Sequence, residues 1–176
     1  MIMKIPTRYL VLGIFDGVTL AFSLLISVLF SGVLFSDAMK ISIAAAIGMF
    51  ASNFFGAYYA EMAESYRKFG KLEKKMAVKE GYLDDTLFYH DEMAKILSSS
   101  LTNGLSAFIF ALLPLILIFF FGEGAILFTI IALFGAILLL GMYFSKLMRE
   151  HLLLSIVKII SIVSLIVILN YFSTML

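Results

Sequence analysis

Gly13-Ile14-Phe15-Asp16-Gly17-Val18-Thr19 puts a carboxylate inside an apolar run that extends from about Tyr9 to Phe35. That run has the length of a membrane-spanning helix, about 20 residues or somewhat more. An aspartate near the centre of such a helix is disfavoured by on the order of 3 kcal/mol. Either a neighbouring group stabilises Asp16 or the protein uses it. At helical spacing Thr19, Ser23 and Ser27 fall on the same face, at i+3, i+7 and i+11. A polar stripe headed by a buried acid suits an ion path. The alternative is a structural acid hydrogen-bonded to an adjacent helix. Gly13 and Gly17 flank the acid and allow a second helix or an ion to come close to the backbone.

A second group of candidates follows on the next helix. Asn53, Ala57, Ala60 and Glu64 share one stripe. Amide and carboxylate oxygens suit hard or borderline divalent cations, so Asn53 opposite Asp16 would make an oxygen-rich intramembrane site. An ordinary interhelical hydrogen bond is the plainer use of the same residue. Met49, one turn earlier, brings a thioether that helps select transition metals, although methionine more often fills gaps. Glu61 and Glu64 stand at i, i+3, and His90-Asp91-Glu92-Met93 follows in the next polar segment. If that region folds as a hairpin, Glu61 and Glu64 approach Asp91 and Glu92. Such a cluster could gather divalent cations, or the same acids could pair with the surrounding lysines. The ion-path candidates are therefore Asp16, Thr19, Ser23 and Asn53. The metal-ligand candidates are Asp16, Asn53, Met49, Glu61, Glu64, Asp91 and Glu92.

Nothing in the sequence favours an enzyme. There is no cysteine, hence no thiolate nucleophile or thiolate metal site. Leu87 and Met148 stand three residues before His90 and His151, so the Glu-x-x-His motif of di-iron bundles is absent. His-Glu-x-x-His, Gly-x-Ser-x-Gly and the phosphate-binding loop are absent as well.

The elements that must position these residues are membrane helices. Of 176 residues 62% are hydrophobic, and the mean hydropathy is +1.08. This composition predicts an all-α integral membrane protein, a five-helix bundle in a single domain. The helices are expected at about 9–35, 41–60, 101–121, 125–144 and 152–172. A helical hairpin at about 61–100 is expected to stand in the cytosol between the second and third. Helix 1 is expected beside helix 2, across a short turn at Ser36–Lys40. Helix 2 is expected to run on past the membrane to a stop near Gly81, and Asp84-Asp85-Thr86 to cap the helix after it. Pro114 should bend helix 3. The small and polar residues of helix 2, among them Gly48, Ser52, Gly56 and Ala60, read as a helix-contacting face. Lys158 could snorkel.

Basic residues set the expected orientation. Lys4 and Arg8 precede helix 1. Arg67, Lys68, Lys71, Lys74, Lys75, Lys79 and Lys95 lie in the hairpin, and Lys146 and Arg149 follow helix 4. Lys40 alone lies on the other side. The N-terminus is thereby expected in the cytosol and the C-terminus outside or in a lumen. A net charge of +1 gives no reason to expect nucleic acid.

Three blocks resemble the vacuolar iron transporter family. Gly13-Ile-Phe-Asp-Gly-Val-Thr-Leu-Ala-Phe-Ser-Leu24 is similar to the Asp-Gly-hydrophobic-Thr segment in the first of that family's five helices. Ser52-Asn-Phe-Phe-Gly-Ala-Tyr-Tyr-Ala-Glu-Met-Ala-Glu64 looks like its Gly-Gly-Tyr-Leu-Ala…Ser-Glu stretch. Thr102-Asn-Gly-Leu-Ser-Ala-Phe-Ile-Phe-Ala-Leu-Leu-Pro-Leu115 is similar to its Gly-hydrophobic-Ser…Ile-Pro-Leu stretch. The blocks cover about a quarter of the chain and occur in the family's order. The resemblance implies a proton-coupled carrier that moves ferrous iron or manganese out of the cytosol, with the metal as cargo and no resident cofactor. It also implies a homodimer with the path between paired first helices, and a cytosolic metal-binding region. Asp16 matches the family's intramembrane acid, and Glu61 and Glu64 the acidic start of its cytosolic extension. Three positions depart from the pattern: Ala21 stands at the family's proline, Asn53 at its methionine and Ala45 at its helix 2 glutamate. The competing reading is a non-transporting membrane scaffold whose hairpin binds a partner protein.

Overall fold

The computed structural model describes residues 7–31, 35–84, 86–122, 125–148 and 150–173. They form five helices: α1 (Thr7–Ser31), α2 (Phe35–Met76), α3 (Leu87–Phe121), α4 (Ala125–Met148) and α5 (Leu152–Ser173). There is no strand among the described residues. All five are long and apolar enough to cross a membrane, and the architecture is that of a multi-pass membrane protein.

Two expected boundaries move. Ser36–Lys40 is the first turn of α2 and not a loop. Asp37 sits where its charge complements the helix N-terminus, and it pairs with Lys40 at 3.0 Å. Polar composition reads as a turn locally, but the same residues serve a helix start. At the other end α2 stops at Met76, well before Gly81. Ala77 takes a left-handed φ of 54°. Val78 N–H donates to the Glu73 carbonyl and Ala77 N–H to that of Lys74, which is the paired bonding of a Schellman cap. Closing it with alanine costs about 1 kcal/mol relative to glycine. Gly81 supplies the next positive φ, 84°, inside the connecting loop.

Glu73 is buried, and its Oε1 accepts the Leu83 N–H at 3.0 Å. Thr86 caps α3, its Oγ1 accepting from Tyr89 N–H and donating to the Leu83 carbonyl. Of the expected Asp84-Asp85-Thr86 cap, Asp85 lies outside the described residues. Beyond the cap, Phe69 meets Phe88 and Tyr89 edge-on or tilted, with ring centroids about 5.5 Å apart, so the lower parts of α2 and α3 run side by side. Both helices continue without a break into the apolar region. At 1.5 Å per residue α2 spans about 63 Å and α3 about 52 Å, well beyond a hydrocarbon core of about 30 Å.

α3 is the hub. α1 and α2 both lie mainly on α3 and meet each other only briefly, while α4 and α5 pair and close over α1. The expected α1–α2 neighbourhood is thus a minor contact. Glycines explain the difference. A Cβ on Gly13 would meet Ser106 Oγ and the Asn103 carbonyl oxygen. One on Gly17 would lie 2.5 Å from the Ala107 carbonyl oxygen and 2.8 Å from Phe110 Cβ. A Cβ on Gly104 would lie 3.0 Å from the Phe50 ring. The flanking glycines of Asp16, expected to admit a second helix, are filled by this chain's own α3. The other side of α1 buries Val11, Val18, Phe22 and Leu25 against Leu133, Ile137 and Leu140 of α4 and Ile159 and Val163 of α5.

The small-residue face of α2 is only half used. Ala57 is buried and Asn53 partly so, whereas Gly48, Ser52, Gly56 and Ala60 are exposed. Lys158 reaches back to Glu150, at 2.7 Å, across the α4–α5 link.

Candidate functional site at the junction of α1, α2 and α3

Asp16 sits half-buried on the side of α1 that looks toward α2. No ion pair engages it among the described residues. The Asn53 side chain stands within interaction range of its carboxylate. The contact falls short of a good hydrogen bond, because Asn53 Nδ2 is buried without a partner. The two residues expected to face each other across the helices are therefore neighbours.

The rest of the α1 stripe follows from helix geometry. Ser23 Oγ donates to the Thr19 carbonyl at 3.1 Å, and Thr19 Oγ1 is buried without a partner. Thr19, Ser23 and Ser27 are all partly buried. Met49 is partly buried one turn before Asn53.

Nearer the α2 extension a second cross-contact joins the same two helices. The Tyr9 hydroxyl donates to Glu61 Oε1, and the Arg8 guanidinium lies 5.6 Å from the Tyr9 ring centre. Glu61 is thus engaged and not an open metal ligand.

The other expected ligands do not come together. Glu64 pairs with Lys68 at 3.0 Å, and Glu92 with Lys95 at 3.3 Å. Asp91 is exposed. Lys68 and Glu92 border the same surface hollow beside Phe69 and Phe88, so a lysine stands among these acids. Among the described residues no three histidines or carboxylates are close enough to hold one metal ion. Glu64 and Glu92 pair with neighbouring lysines, the second of the two uses open to these acids.

α3 contributes what sequence reading left out. Asn103 Nδ2 donates to the Asn53 backbone carbonyl at 3.2 Å, tying α2 to α3 beside the acid. Ser106 Oγ lies against Gly13 and bonds the carbonyls of Thr102 and Asn103. An asparagine within an apolar helix was the available signal for Asn103. Its partner could not be read from spacing, because spacing orders residues on one helix only.

No family model matches the chain. An uncharacterized protein of the archaeon Methanocaldococcus jannaschii is similar to it, 31% identical over 159 residues, which cover 88% of this chain and 81% of that protein. The chain belongs to that protein's family. The match spans most of both chains and is not confined to one shared helix.

Proposed function

We propose that the protein is a proton-coupled carrier of a divalent transition metal, ferrous iron or manganese, that moves the metal out of the cytosol. One observation carries the reading. A half-buried carboxylate on a membrane helix has no basic partner among the described residues and has an amide beside it. Intramembrane acids are rare, and where they occur they mark ion or proton paths. A structural acid would be expected to have its oxygens taken by well-formed hydrogen bonds.

In this reading Asp16 alternates between proton and metal. Asn53 lines the same site, and Thr19 and Ser23 continue the polar path along α1. Glu61, held by Tyr9, sits at the mouth nearest the α2 extension. The N-terminus and residues 61–100 face the cytosol, and the C-terminus faces outward or into a lumen. The resemblance of three sequence blocks to vacuolar iron transporters supports the cargo and the coupling. Uptake of iron, manganese, cobalt and calcium into proteoliposomes, with and without a pH gradient, tests the function. Iron or manganese should accumulate and the gradient should accelerate it. Equal leak of all four ions in both conditions would defeat the proposal.

A homodimer belongs to the same reading. The polar stripe of α1 is only partly covered within one protomer, and a second protomer across a two-fold axis would cover it and add a second Asp16. The glycine face is occupied by α3, so the second copy must meet the stripe side. With no native cysteine, Ser27→Cys should cross-link between protomers in membranes. Leu25→Cys, 7% exposed, should not. Equal cross-linking at both positions would remove the paired-helix path.

The scaffold reading retains one observation of its own: Tyr82, Leu87 and Phe88 at the hairpin tip are 61%, 84% and 51% exposed. Absence of metal flux in the same liposomes would favour it.

A further inference from the structure

Asn103 is 7% exposed and only half of its amide is used. Nδ2 donates to the Asn53 carbonyl. That bond fixes the amide orientation, since a flipped side chain would set two oxygens against each other. The other end, Oδ1, is buried and has no donor among the described residues. A serine or threonine hydroxyl in a helix can turn to a carbonyl of its own preceding turn, as Ser106 does. An amide oxygen has no such outlet, because it only accepts. It needs a donor or a cation.

The place of this oxygen matters. The Asn103 backbone carbonyl lies against Gly13, one turn before Asp16, and its side chain holds the residue that stands beside the Asp16 carboxylate.

We propose that Asn103 is a cation ligand: its Oδ1 joins the Asp16 carboxylate and the Asn53 amide in an oxygen-lined site at the α1–α2–α3 junction. Neutral amide oxygens with one carboxylate suit a hard or borderline divalent cation. The inference rests on the reading of Asp16 as the ion-path acid. It adds α3 as a wall of that site.

Binding of Mn2+ to the purified full chain, followed by electron paramagnetic resonance, tests this apart from transport. Thermal unfolding without metal is measured beside it. Asn103→Ala and Asn103→Asp both lose the donor to Asn53, but only the second keeps an oxygen. Asn103→Ala should weaken Mn2+ binding roughly ten- to a hundredfold, the range for groups lost around a metal, while Asn103→Asp keeps it. The double variant Asp16→Asn with Asn103→Asp returns a carboxylate to the site from the other helix and should regain binding lost in Asp16→Asn. This second comparison stands even if Asn103→Ala does not purify. Wild-type binding in Asn103→Ala, equal losses in both Asn103 variants, or no recovery in the double variant would overturn the ligand role. When one of these outcomes is found and Asp16→Asn still loses binding, only the part assigned to Asn103 falls. If Asp16→Asn also binds as wild type, the ion-path reading falls with it.

Discussion

Asp16→Asn should reduce metal uptake in proteoliposomes to the level of protein-free vesicles while the protein still inserts, purifies and unfolds as before. The change keeps the shape of the side chain and removes only its charge. No lysine or arginine loses a partner by it among the described residues. An amide is less unfavourable in hydrocarbon than a carboxylate, whose insertion near a helix centre costs about 3 kcal/mol, so the fold has nothing to lose. On the carrier reading, transport loses a group that can both bind a divalent cation and carry a proton. Wild-type uptake in this variant would make Asp16 a structural acid and end the carrier proposal.

Gly17→Val should be the most damaging single change to the fold. The first carbon added at this position lies 2.5 Å from a backbone oxygen of α3, and a backbone cannot swing aside as a flexible side chain can. α1 would have to lift from α3. Even modest overpacking in a filled interior costs about 1–3 kcal/mol, and α1 also carries one wall of the core against α4 and α5. The expected result is loss of monodisperse protein in detergent, or an unfolding temperature well below wild type. Gly48→Ala is the control. Nothing lies within 4 Å of its added carbon, and the unfolding temperature should not fall, since alanine is the better helix former. Wild-type stability in Gly17→Val would mean that α1 and α3 are not in close contact there.

Gly13 and Gly17 show where sequence reading stops. Their type and spacing announced close approach, and close approach is what the structure has. Which helix approaches is a property of the assembled bundle, so a second protomer and this chain's own α3 were equally compatible with Gly13 and Gly17. The five helices were legible because long apolar runs leave little choice in lipid. Their ends were less so. Ser36–Lys40 is polar enough for a turn, yet it starts α2. Gly81 is the residue type that closes helices, yet Ala77 closes this one because Glu73, Lys74 and Val78 complete the bonding around it. At the candidate site, Asp16 and Asn53 stood out by type. Asn103 was visible by type as well, but its role, like that of Tyr9, comes only from a partner on another helix. The expected meeting of Glu61, Glu64, Asp91 and Glu92 assumed that acids on adjacent helices gather. Lysines one turn away claim two of them first, as local ion pairs at i, i+3 and i, i+4 readily do.

α2 runs from Phe35 to Met76 as one helix, and that continuity makes it a mechanical lever. It has no joint between the apolar region and the loop at residues 77–86. From Asn53 to Met76 the shaft is about 35 Å long. A tilt of about 5° around Asn53 sweeps the far end through about 3 Å, on the same rise per residue. The lever bears on α3 at two heights, through Phe50 and Asn53 against Gly104 and Asn103 and, farther along, through Phe69 against Phe88. One of these bearings, Asn53, is the residue that stands beside Asp16.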